Sequence, residues 1–308
     1  MFDLKRLRVL REVAERGSFS AAADSLYVSQ SAISQQVTAL ENEVGTQLLL
    51  RLRTGPILTD AGALLVGHAE AAMARLEQAE RDLDQLSGKG AGELRLISFP
   101  SASVTIGSRA ARHFQDSFPG VRLSLSEDDP EESLPRLKRG DADLVIAYDF
   151  EVESIGPDRD LILTHLLDEE MHVALPANHP LADAGCIRLD QLADENWLCG
   201  TGDGSCRRLT IGSCERAGFQ PKVLYESDDY AVMQAFIAEG MGVTLLPDLA
   251  LLSLNPDVAI VDVAPEPPVR RIWAVTLGAG SRSNATDAMI EILADVSAEI
   301  LTDVAAAA

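Results

Sequence analysis

The spacing of apolar residues at the start of the chain predicts two short helices. Between Asp3 and Arg16 apolar residues recur every three or four positions, which is the period of one helix face, and Gly17 suits the end of that helix. The residues predicted to face inward are Leu4, Leu7, Leu10 and Val13. Ser20 then suits the N-cap of a second helix, which would run through Ala21, Ala22, Ala23 and Leu26.

A longer third helix is predicted from Ser29 to Gly45, after a turn at Tyr27 and Val28. One face repeats at helical spacing and is predicted to be buried, through Ile33, Val37, Leu40 and Val44. The opposite face carries only short or amide side chains, namely Gln30, Ser31, Ser34, Gln35 and Thr38. Such side chains donate to and accept from base edges and phosphates, so this face indicates a nucleic-acid partner.

Two short strands are predicted next, between Gln47 and Leu58, joined around Thr54, Gly55 and Pro56. Arg51 and Arg53 would stand at the tip of this hairpin. Three helices followed by a basic hairpin predict a winged helix-turn-helix, whose second motif helix enters a DNA groove. A plain three-helix bundle with a hairpin is the alternative, but it has no need for a polar, uncharged helix face beside a basic wing.

The run GSFSAAADSLYVSQSAISQQVTALENEVGTQL, with LTDAG after it, resembles the DNA-binding end of LysR-type transcriptional regulators. AEGMGVTLLPDLA and RLKRGDADLVIAYDF resemble later segments of that family, so the resemblance covers almost the entire chain. It implies a mixed α and α/β fold with an N-terminal winged helix-turn-helix, a long linker helix and a two-lobed α/β effector domain like a periplasmic solute-binding protein. It also implies a cytoplasmic, nucleoid-associated regulator rather than an enzyme.

The resemblance assigns DNA contacts as well. It implies that the second motif helix lies in the major groove, with contacts from Gln30, Ser31, Ser34 and Gln35, while Arg51 and Arg53 reach the flanking minor groove. The predicted DNA-binding residues also include Ser29 and Thr38. The family commonly has Pro at the position of Ser31 and a basic residue at that of Gln35, so the operator sequence is not implied. The expected partners are an interrupted-dyad operator of double-stranded DNA, a small-molecule effector, a second copy of the chain in a dimer or tetramer, and RNA polymerase as a candidate.

The distribution of charge is compatible with a DNA partner. The formal charge is −22, yet residues 1–58 hold seven basic and six acidic side chains, whereas residues 93–308 hold 16 and 36. The acidic excess should repel DNA from the second region and confine binding to the near-neutral first region, with weak non-specific affinity. No apolar run of 18 residues occurs, and the charged N-terminus lacks a signal-peptide core, so no membrane association is expected.

A long helix is predicted from about Asp60 to Leu86, capped by Thr59. Its apolar positions alternate four and three apart, as in a coiled-coil seam, through Leu65, Ala69, Ala72, Leu76, Ala79, Leu83 and Leu86. We predict that this seam dimerises two chains; packing on its own domain is the alternative. Residues 87–92 then form a glycine-rich hinge. The predicted domains are therefore 1–58, 59–92 and 93–308.

Strands and helices alternate from Glu93 onward in βαβ units, which predicts an α/β domain with lobe I near 93–160 and 268–308 and lobe II near 161–267. The predicted elements include a helix from Ala102 to Phe118 and strands from Leu161 to Leu167 and from Met171 to Leu175. Ligands of open α/β sheets bind beyond the strand ends, where helix N-termini present free amides. That rule, and the resemblance, predict an effector site of Ser101, Ala102, Ser103, Tyr148, Thr201, Gly202, Ser227 and Asp228. A small carboxylate is the expected effector, although Asp228 and Glu127 would repel one.

Other candidate chemistry is weaker. Cys206 lies beside Arg207 and Arg208, which could lower its pKa for oxidant sensing, but buried inert cysteines are the more common case. The Gly200, Gly202 and Gly204 spacing mimics a phosphate loop without its Lys-Ser/Thr, so it predicts a flexible helix entry. No cofactor, metal-ligand spacing or catalytic motif is recognisable, and a pure solute receptor would leave residues 18–58 unexplained.

Overall fold

The computed structural model describes residues 2–52, 55–86, 92–150, 154–156, 158, 160–278 and 282–307. The chain divides into two compact units. The N-terminal unit is Met1–Ser87 with Lys138–Asp141, and the C-terminal unit is Gly88–Leu137 with Ala142–Ala308. The predicted hinge falls mostly on residues 87–91, outside the described residues. The finer boundaries of linker and lobes stay predictions.

The N-terminal unit has the elements of a winged helix-turn-helix followed by a long helix. Its helices are α1 (Leu4–Arg16), α2 (Phe19–Ser25), α3 (Gln30–Val44) and α4 (Asp60–Leu86), and its hairpin joins β1 (Leu49–Leu52) to β2 (Gly55–Leu58). The two strands are antiparallel, with Leu52 opposite Gly55. The sequence predicted Gly55 and Pro56 in the connection between the strands, but both lie within β2.

One apolar core joins the four helices and the hairpin of this unit. Ile33, Val37 and Leu40 of α3 are fully buried, as the spacing predicts. The stripe on α1 is confirmed from Leu7 onward, but Leu4 is 42% exposed. Leu4 is the first residue of the helix and lies one turn before the stripe meets its neighbours.

The N-cap of α2 differs from the predicted one. The helix begins at Phe19, and the Oγ of Ser18 accepts a hydrogen bond from the backbone N–H of Ala21 at 3.4 Å. Ser20, the predicted cap, lies inside the first turn with an exposed side chain. Both serines precede the alanine run, so composition alone does not separate a cap from a residue two positions later.

Helix α4 begins as predicted, and its apolar seam is partly packed in the core of its own unit and partly exposed. The Oγ1 of Thr59 accepts from the N–H of Gly62 at 3.0 Å, and 27 helical residues follow. Leu65 and Ala69 pack into the core of their own unit, which is the alternative interpretation of the seam. The next positions are exposed, namely Ala72, Leu76, Ala79 and Leu83. The side chain of Leu86 lies outside the described residues.

An eight-stranded mixed sheet forms the centre of the C-terminal unit. The strands of the unit are β3 (Glu93–Ser98), β4 (Arg122–Glu127), β5 (Leu144–Phe150), β6 (Leu161–Pro176), β7 (Cys186–Arg188), β8 (Asn196–Cys199), β9 (Lys222–Glu226), β10 (Thr244–Pro247), β11 (Val258–Ala264) and β12 (Val269–Leu277). The order is β4-β3-β5-β12-β6-β11-β7, with β10 paired to β6, and β8 and β9 form a separate parallel pair. The parallel pairing of β3 with β4 and β5 confirms the predicted βαβ units.

Strand β6 is a single strand of 16 residues, where the sequence predicted one strand from Leu161 to Leu167 and another from Met171 to Leu175. Its part up to Glu170 pairs with β12, and its part from Met171 pairs with β10 and β11. The polar residues between the two predicted strands interrupt the apolar pattern without interrupting the ladder.

The helices of the C-terminal unit are α5 (Pro100–Ala102), α6 (Ser108–Ser117), α7 (Pro130–Lys138), α8 (Ser205–Arg216), α9 (Tyr230–Ala238), α10 (Asp248–Leu251) and α11 (Asn284–Ala307). The helix predicted to begin at Ala102 begins two residues earlier, at Pro100. A π-helical turn, Ser103–Gly107, joins α5 to α6. The sequence did not predict β7, β11 or α10. No helix in the described part of the chain is long and apolar enough to cross a membrane.

Candidate DNA-binding surface and effector cleft

The polar face of α3 lies opposite its buried stripe. The Oγ of Ser29 accepts from the N–H of Ala32 at 3.2 Å, which confirms this residue as the N-cap and fixes the start of the helix. On this face Gln30, Ser31, Gln35 and Thr38 are exposed, and Ser34, which lies between them, is half-buried. The predicted α3 residues therefore share one surface, and none of them carries a charge.

Arg51 lies on the same side as this face. Its Nη2 donates to the Oγ of Ser34 at 3.2 Å, and its guanidinium stands 4.9 Å from the ring centre of Phe19. The wing thereby adds a positive charge next to the uncharged helix face. Arg53, the other predicted contact of the wing, lies outside the described residues.

Two further contacts hold the wing in place. The Oε1 of Glu41 in α3 accepts from the backbone N–H groups of Leu48 and Leu49, at 2.9 and 3.3 Å. Gly55 has a φ of 128°, and a Cβ there would lie 2.7 Å from the carbonyl oxygen of Gly17. Any other residue would displace the wing, because that contact is too short for a carbon atom.

A narrow cleft of the C-terminal unit lies at the strand ends where the effector is predicted to bind. Its volume is about 30 Å³, so a ligand larger than a few water molecules enters only if the cleft widens. Four predicted residues line it, namely Ser101, Tyr148, Ser227 and Asp228. The other lining residues were not predicted for this role: Phe99, Pro100, Asp129, Gly200, Gly204, Cys206, Arg207, Tyr230, Met233 and Arg270.

Two residues predicted after β3 do not line the cleft. Ala102 is fully buried, because helical backbone already begins at Pro100 and turns this side chain into the core. Ser103 lines a different hollow, together with Glu127. Glu127 is exposed on β4, so the repulsion expected between it and an anionic effector does not arise in the cleft.

The predicted residues after β8 contribute indirectly. The backbone N–H of Thr201 donates to Asp228 Oδ1 at 2.8 Å, and the Thr201 hydroxyl donates to Oδ2 of the same carboxylate. Thr201 therefore holds Asp228 without lining the cleft itself. Gly202 is exposed with a φ of 58° and is not among the lining residues either.

A buried ion pair forms one wall of the cleft. Arg270 and Glu169 are both 1% exposed, and their closest N and O atoms lie 2.6 Å apart. The Nη2 of Arg270 also donates to the Oγ of Ser101 at 2.9 Å, and the guanidinium lies 4.9 Å from the ring centre of Phe99 and 5.0 Å from that of Tyr148. Burial is the largest influence on Arg270 and acts to lower its pKa, but the Glu169 carboxylate, together with Tyr230, Cys206 and Tyr148, outweighs burial, so the pKa is raised. Arg270 therefore keeps its charge.

A chain of hydrogen bonds crosses the cleft through Tyr148. The thiol of Cys206 donates to the Tyr148 hydroxyl at 3.3 Å, and this hydroxyl donates to Asp129 Oδ1, also at 3.3 Å. Burial, together with repulsion from Glu131 and Asp228, raises the pKa of Asp129 to about 6. The sequence offered one signal for Asp129, because an acidic residue directly before Pro130 suits a helix start.

Carboxylates of the chain itself already occupy the amides expected to receive an anion. Glu131 Oε1 accepts from the backbone N–H of Ser205 at 2.9 Å and from its hydroxyl, at the N-terminus of α8. Asp228 occupies the amide of Thr201 in the same way. The N-terminus of α8, which the strand-end rule predicted to be free, is therefore satisfied internally.

The geometry favours the inert interpretation of Cys206 over its activation by the neighbouring arginines. Arg207 donates to Glu226 at 2.6 Å, and Arg208 is 3.4 Å from Glu131, so both charges are directed to carboxylates. Burial raises the pKa of the Cys206 thiol, and the main opposing charge is that of Arg270. The two fully buried thiols follow the same rule, because burial raises the pKa of Cys199 to about 11 and that of Cys214 to about 12.

Comparison with protein families matches both units. The family model described as "LysR substrate binding domain" matches residues 87–298, more than half of the chain. The model described as "Bacterial regulatory helix-turn-helix protein, lysR family" matches residues 4–63. The chain belongs to the LysR family. It is a DNA-binding transcriptional regulator of that type, and the predicted fold class is confirmed.

Individual relatives of this LysR-type regulator are distant. YybE of Bacillus subtilis, described as an uncharacterized HTH-type transcriptional regulator, is 27% identical over 248 residues, which are 80% of this chain and 83% of the relative. OxyR of Escherichia coli, described as a DNA-binding transcriptional dual regulator, is 29% identical over 250 residues, 81% of this chain and 80% of OxyR.

Solved structures share the fold. A hydrogen-peroxide-bound OxyR variant of Corynebacterium glutamicum is 25% identical with a TM-score of 0.60, and the match covers 99% of this chain and 97% of that one. Full-length CbnR in complex with its target DNA is 22% identical with a TM-score of 0.54, and the match covers 96% of this chain and 100% of CbnR.

Proposed function

We propose that this regulator recognises a specific operator by placing the exposed face of α3 in the major groove. The observation that carries the proposal is the uncharged polar face opposite a fully buried stripe, with Arg51 bonded to Ser34 beside it. Amide side chains such as Gln35 read base edges, whereas Arg51 neutralises phosphate. Arg53 is proposed as a second wing contact from the family resemblance.

A retardation assay with the DNA upstream of the gene itself tests this proposal. We expect Gln35→Ala to lose base preference by about 1–3 kcal/mol, and Arg51→Ala to reduce the slope of log affinity against log salt by about one. Gln36→Ala is the matched control, because Gln36 is an exposed residue of the same helix outside the polar face. Equal losses for the Gln35 and Gln36 variants would contradict the assignment.

We propose that the exposed part of α4 joins two chains, with a tetramer formed by further association of C-terminal units. Leu76 is 49% exposed and Leu83 64%, seven residues apart on one side of the helix. A dimer would place two α3 helices on an interrupted dyad. Sedimentation of Leu76→Glu should show a smaller species than wild type, and an unchanged sedimentation coefficient would contradict this seam. RNA polymerase as a partner, a cytoplasmic location and the lack of enzymatic activity stay predictions.

We propose that a small molecule in the cleft regulates DNA binding, and that it carries hydrogen-bond donors instead of the carboxylate expected from the sequence. Arg270 and Arg207 already pair with Glu169 and Glu226. Within the described part of the chain, no Lys, Arg or His side chain pairs with Asp129 or Asp228. Because both cationic residues that line the cleft are already paired, an anion would enter against the two carboxylates.

A thermal-shift screen tests the effector class with the full chain and equal concentrations of primary amines, polyols and carboxylates. An amine or polyol should raise the unfolding temperature, because a molecule that binds only the folded state stabilises it. Stabilisation by carboxylates alone would contradict the proposal. A ligand regulates only through its difference in affinity for two states, so a hit must also change operator affinity.

Thiol-based sensing is the second candidate, since Cys206 lines the cleft and one relative is described as a hydrogen peroxide-inducible genes activator. The raised pKa of Cys206 argues against it, because the thiolate is the reactive form. Alkylation of the reduced protein at neutral pH separates the two candidates. Rapid, selective modification of Cys206 would favour the sensor, and uniformly slow modification would exclude it.

A further inference from the structure

The turn before α3 places a tyrosine where helices normally end with glycine. The N–H of Val28 donates to the carbonyl of Ala23 at 3.0 Å, and the N–H of Tyr27 donates to that of Asp24 at 3.3 Å. This pair of bonds is the Schellman arrangement, which requires a left-handed residue after the helix. Tyr27 is that residue, with a φ of 55°.

Tyr27 is an exception in this chain. Among the described residues it is the only non-glycine residue with a positive φ. After α1, α3, α7, α8 and α9 the left-handed position is held by glycine, namely Gly17, Gly45, Gly140, Gly218 and Gly240. A side chain costs about 1–2 kcal/mol in this conformation, and glycine avoids that cost.

No contact in the described part of its own unit offsets this cost. The side chain of Tyr27 is 95% exposed, so its ring lies almost entirely in water. A glycine or an asparagine would make the same backbone turn with less strain. The folded subunit therefore gives no reason for an aromatic residue at this position.

The position of Tyr27 supplies the reason. It stands two residues before Ser29, the N-cap of α3, and three before Gln30, the first residue of the polar face. We propose that Tyr27 contacts the DNA backbone where α3 enters the groove, through a hydrogen bond from its hydroxyl to a phosphate oxygen and contact of its ring with the sugar. Tyrosine is among the side chains that make such positioning contacts. This inference rests on the proposed DNA-binding face of α3.

The test uses the full chain with Tyr27→Phe and Tyr27→Gly in retardation assays and in denaturant unfolding. Tyr27→Phe keeps the backbone strain and loses the hydroxyl, so we expect about two- to tenfold weaker binding. Tyr27→Gly should bind at least as weakly and unfold no more easily than wild type. Because the contact is to the backbone and neutral, both variants should weaken operator and non-operator DNA alike without changing the salt slope.

Gly45→Tyr is the matched control, since Gly45 has a φ of 79° and no atom within 4 Å of an added Cβ. It should unfold more easily, which measures the strain of a tyrosine in this conformation. Wild-type affinity in both Tyr27 variants, with Arg51→Ala still weakened, would overturn the inference and leave the proposed function intact. Failure of the wild type to select any operator would instead reject the proposed function. Loss of transcription without loss of DNA binding would also overturn the inference.

Discussion

The N-terminal unit carries its candidate site on one helix, whereas the C-terminal unit assembles its site from distant parts of the chain. On α3, nine positions from Gln30 to Thr38 contain the whole helical contribution to the proposed DNA face. In the cleft, Ser101 and Arg270 are bonded across 169 positions, and Arg270 and Glu169 across 101. A site on one helix can be recognised from the periodic pattern of the sequence, whereas a site assembled by tertiary packing cannot.

The two sites also differ in how they use charge. The α3 face is uncharged and open to solvent, with Arg51 beside it. The cleft is narrow, and it holds ionised groups whose pairing decides both stability and ligand choice. Changes in the first site should therefore affect binding more than folding, and changes in the second should affect both.

The largest effect that tests this contrast is expected from Glu169→Gln. It leaves the Arg270 charge buried without a counter-ion, which costs about 3–5 kcal/mol of unfolding free energy. Both tryptophans, Trp197 and Trp273, lie in the C-terminal unit, so denaturant titration followed by their fluorescence reports on that unit. The neighbouring exposed Glu170→Gln is the matched control, and equal losses in the two variants would show that burial of the pair is not decisive.

A smaller, pH-dependent effect is expected from Asp129→Asn. Because the pKa of Asp129 is raised to about 6 by burial and by its acidic neighbours, the folded unit holds a proton more tightly than the unfolded chain does. Its contribution to stability is therefore favourable at low pH and falls as pH rises from about 4 to about 6. At pH 7.5 the unfolding free energy of the variant should exceed that of wild type by about 1–2 kcal/mol after allowance for solvent screening, and the two free energies should agree at pH 4. A difference that does not vary with pH would contradict this reasoning.

The smallest effect concerns the capping of α2 and sharpens the N-terminal side of the contrast. Ser18→Ala removes the acceptor for the Ala21 amide and should cost about 1 kcal/mol. Ser20→Ala, inside the same helix and exposed, should cost almost nothing. Thermal unfolding followed by circular dichroism compares the stability of the two variants. A larger loss of stability for Ser20→Ala would show that Ser20 is the N-cap, as the sequence predicted.

The accuracy of prediction follows the same division. The buried stripe of α3 and the caps at Ser29 and Thr59 were predictable because each depends on residues within one helix turn or a few turns. Ser20 was chosen over Ser18 because two serines precede the same alanine run, and only the backbone conformation separates them. The apolar period of the α4 seam was predictable. Which seam positions pack in the core and which stay exposed was not, since that depends on tertiary packing.

The cleft shows where such reasoning ends. The strand-end rule located Ser101, Tyr148, Ser227 and Asp228, because parallel strands bring their carboxyl ends to one edge. It could not locate Arg270, which arrives on an antiparallel strand from the far end of the chain. Nor could it show that Glu131 fills the amide expected to bind an anion.

The length of β6 determines how the C-terminal unit can deform. Strand β6 pairs first with β12, with one register shift at Ile272 and Trp273, and then with β10 and β11, so no free loop in β6 separates the two halves of the sheet. Rotation of one half must twist this strand, and the distortion is shared among many backbone hydrogen bonds. The elastic resistance then grows with angle, which favours graded, small-amplitude responses over an all-or-none swing.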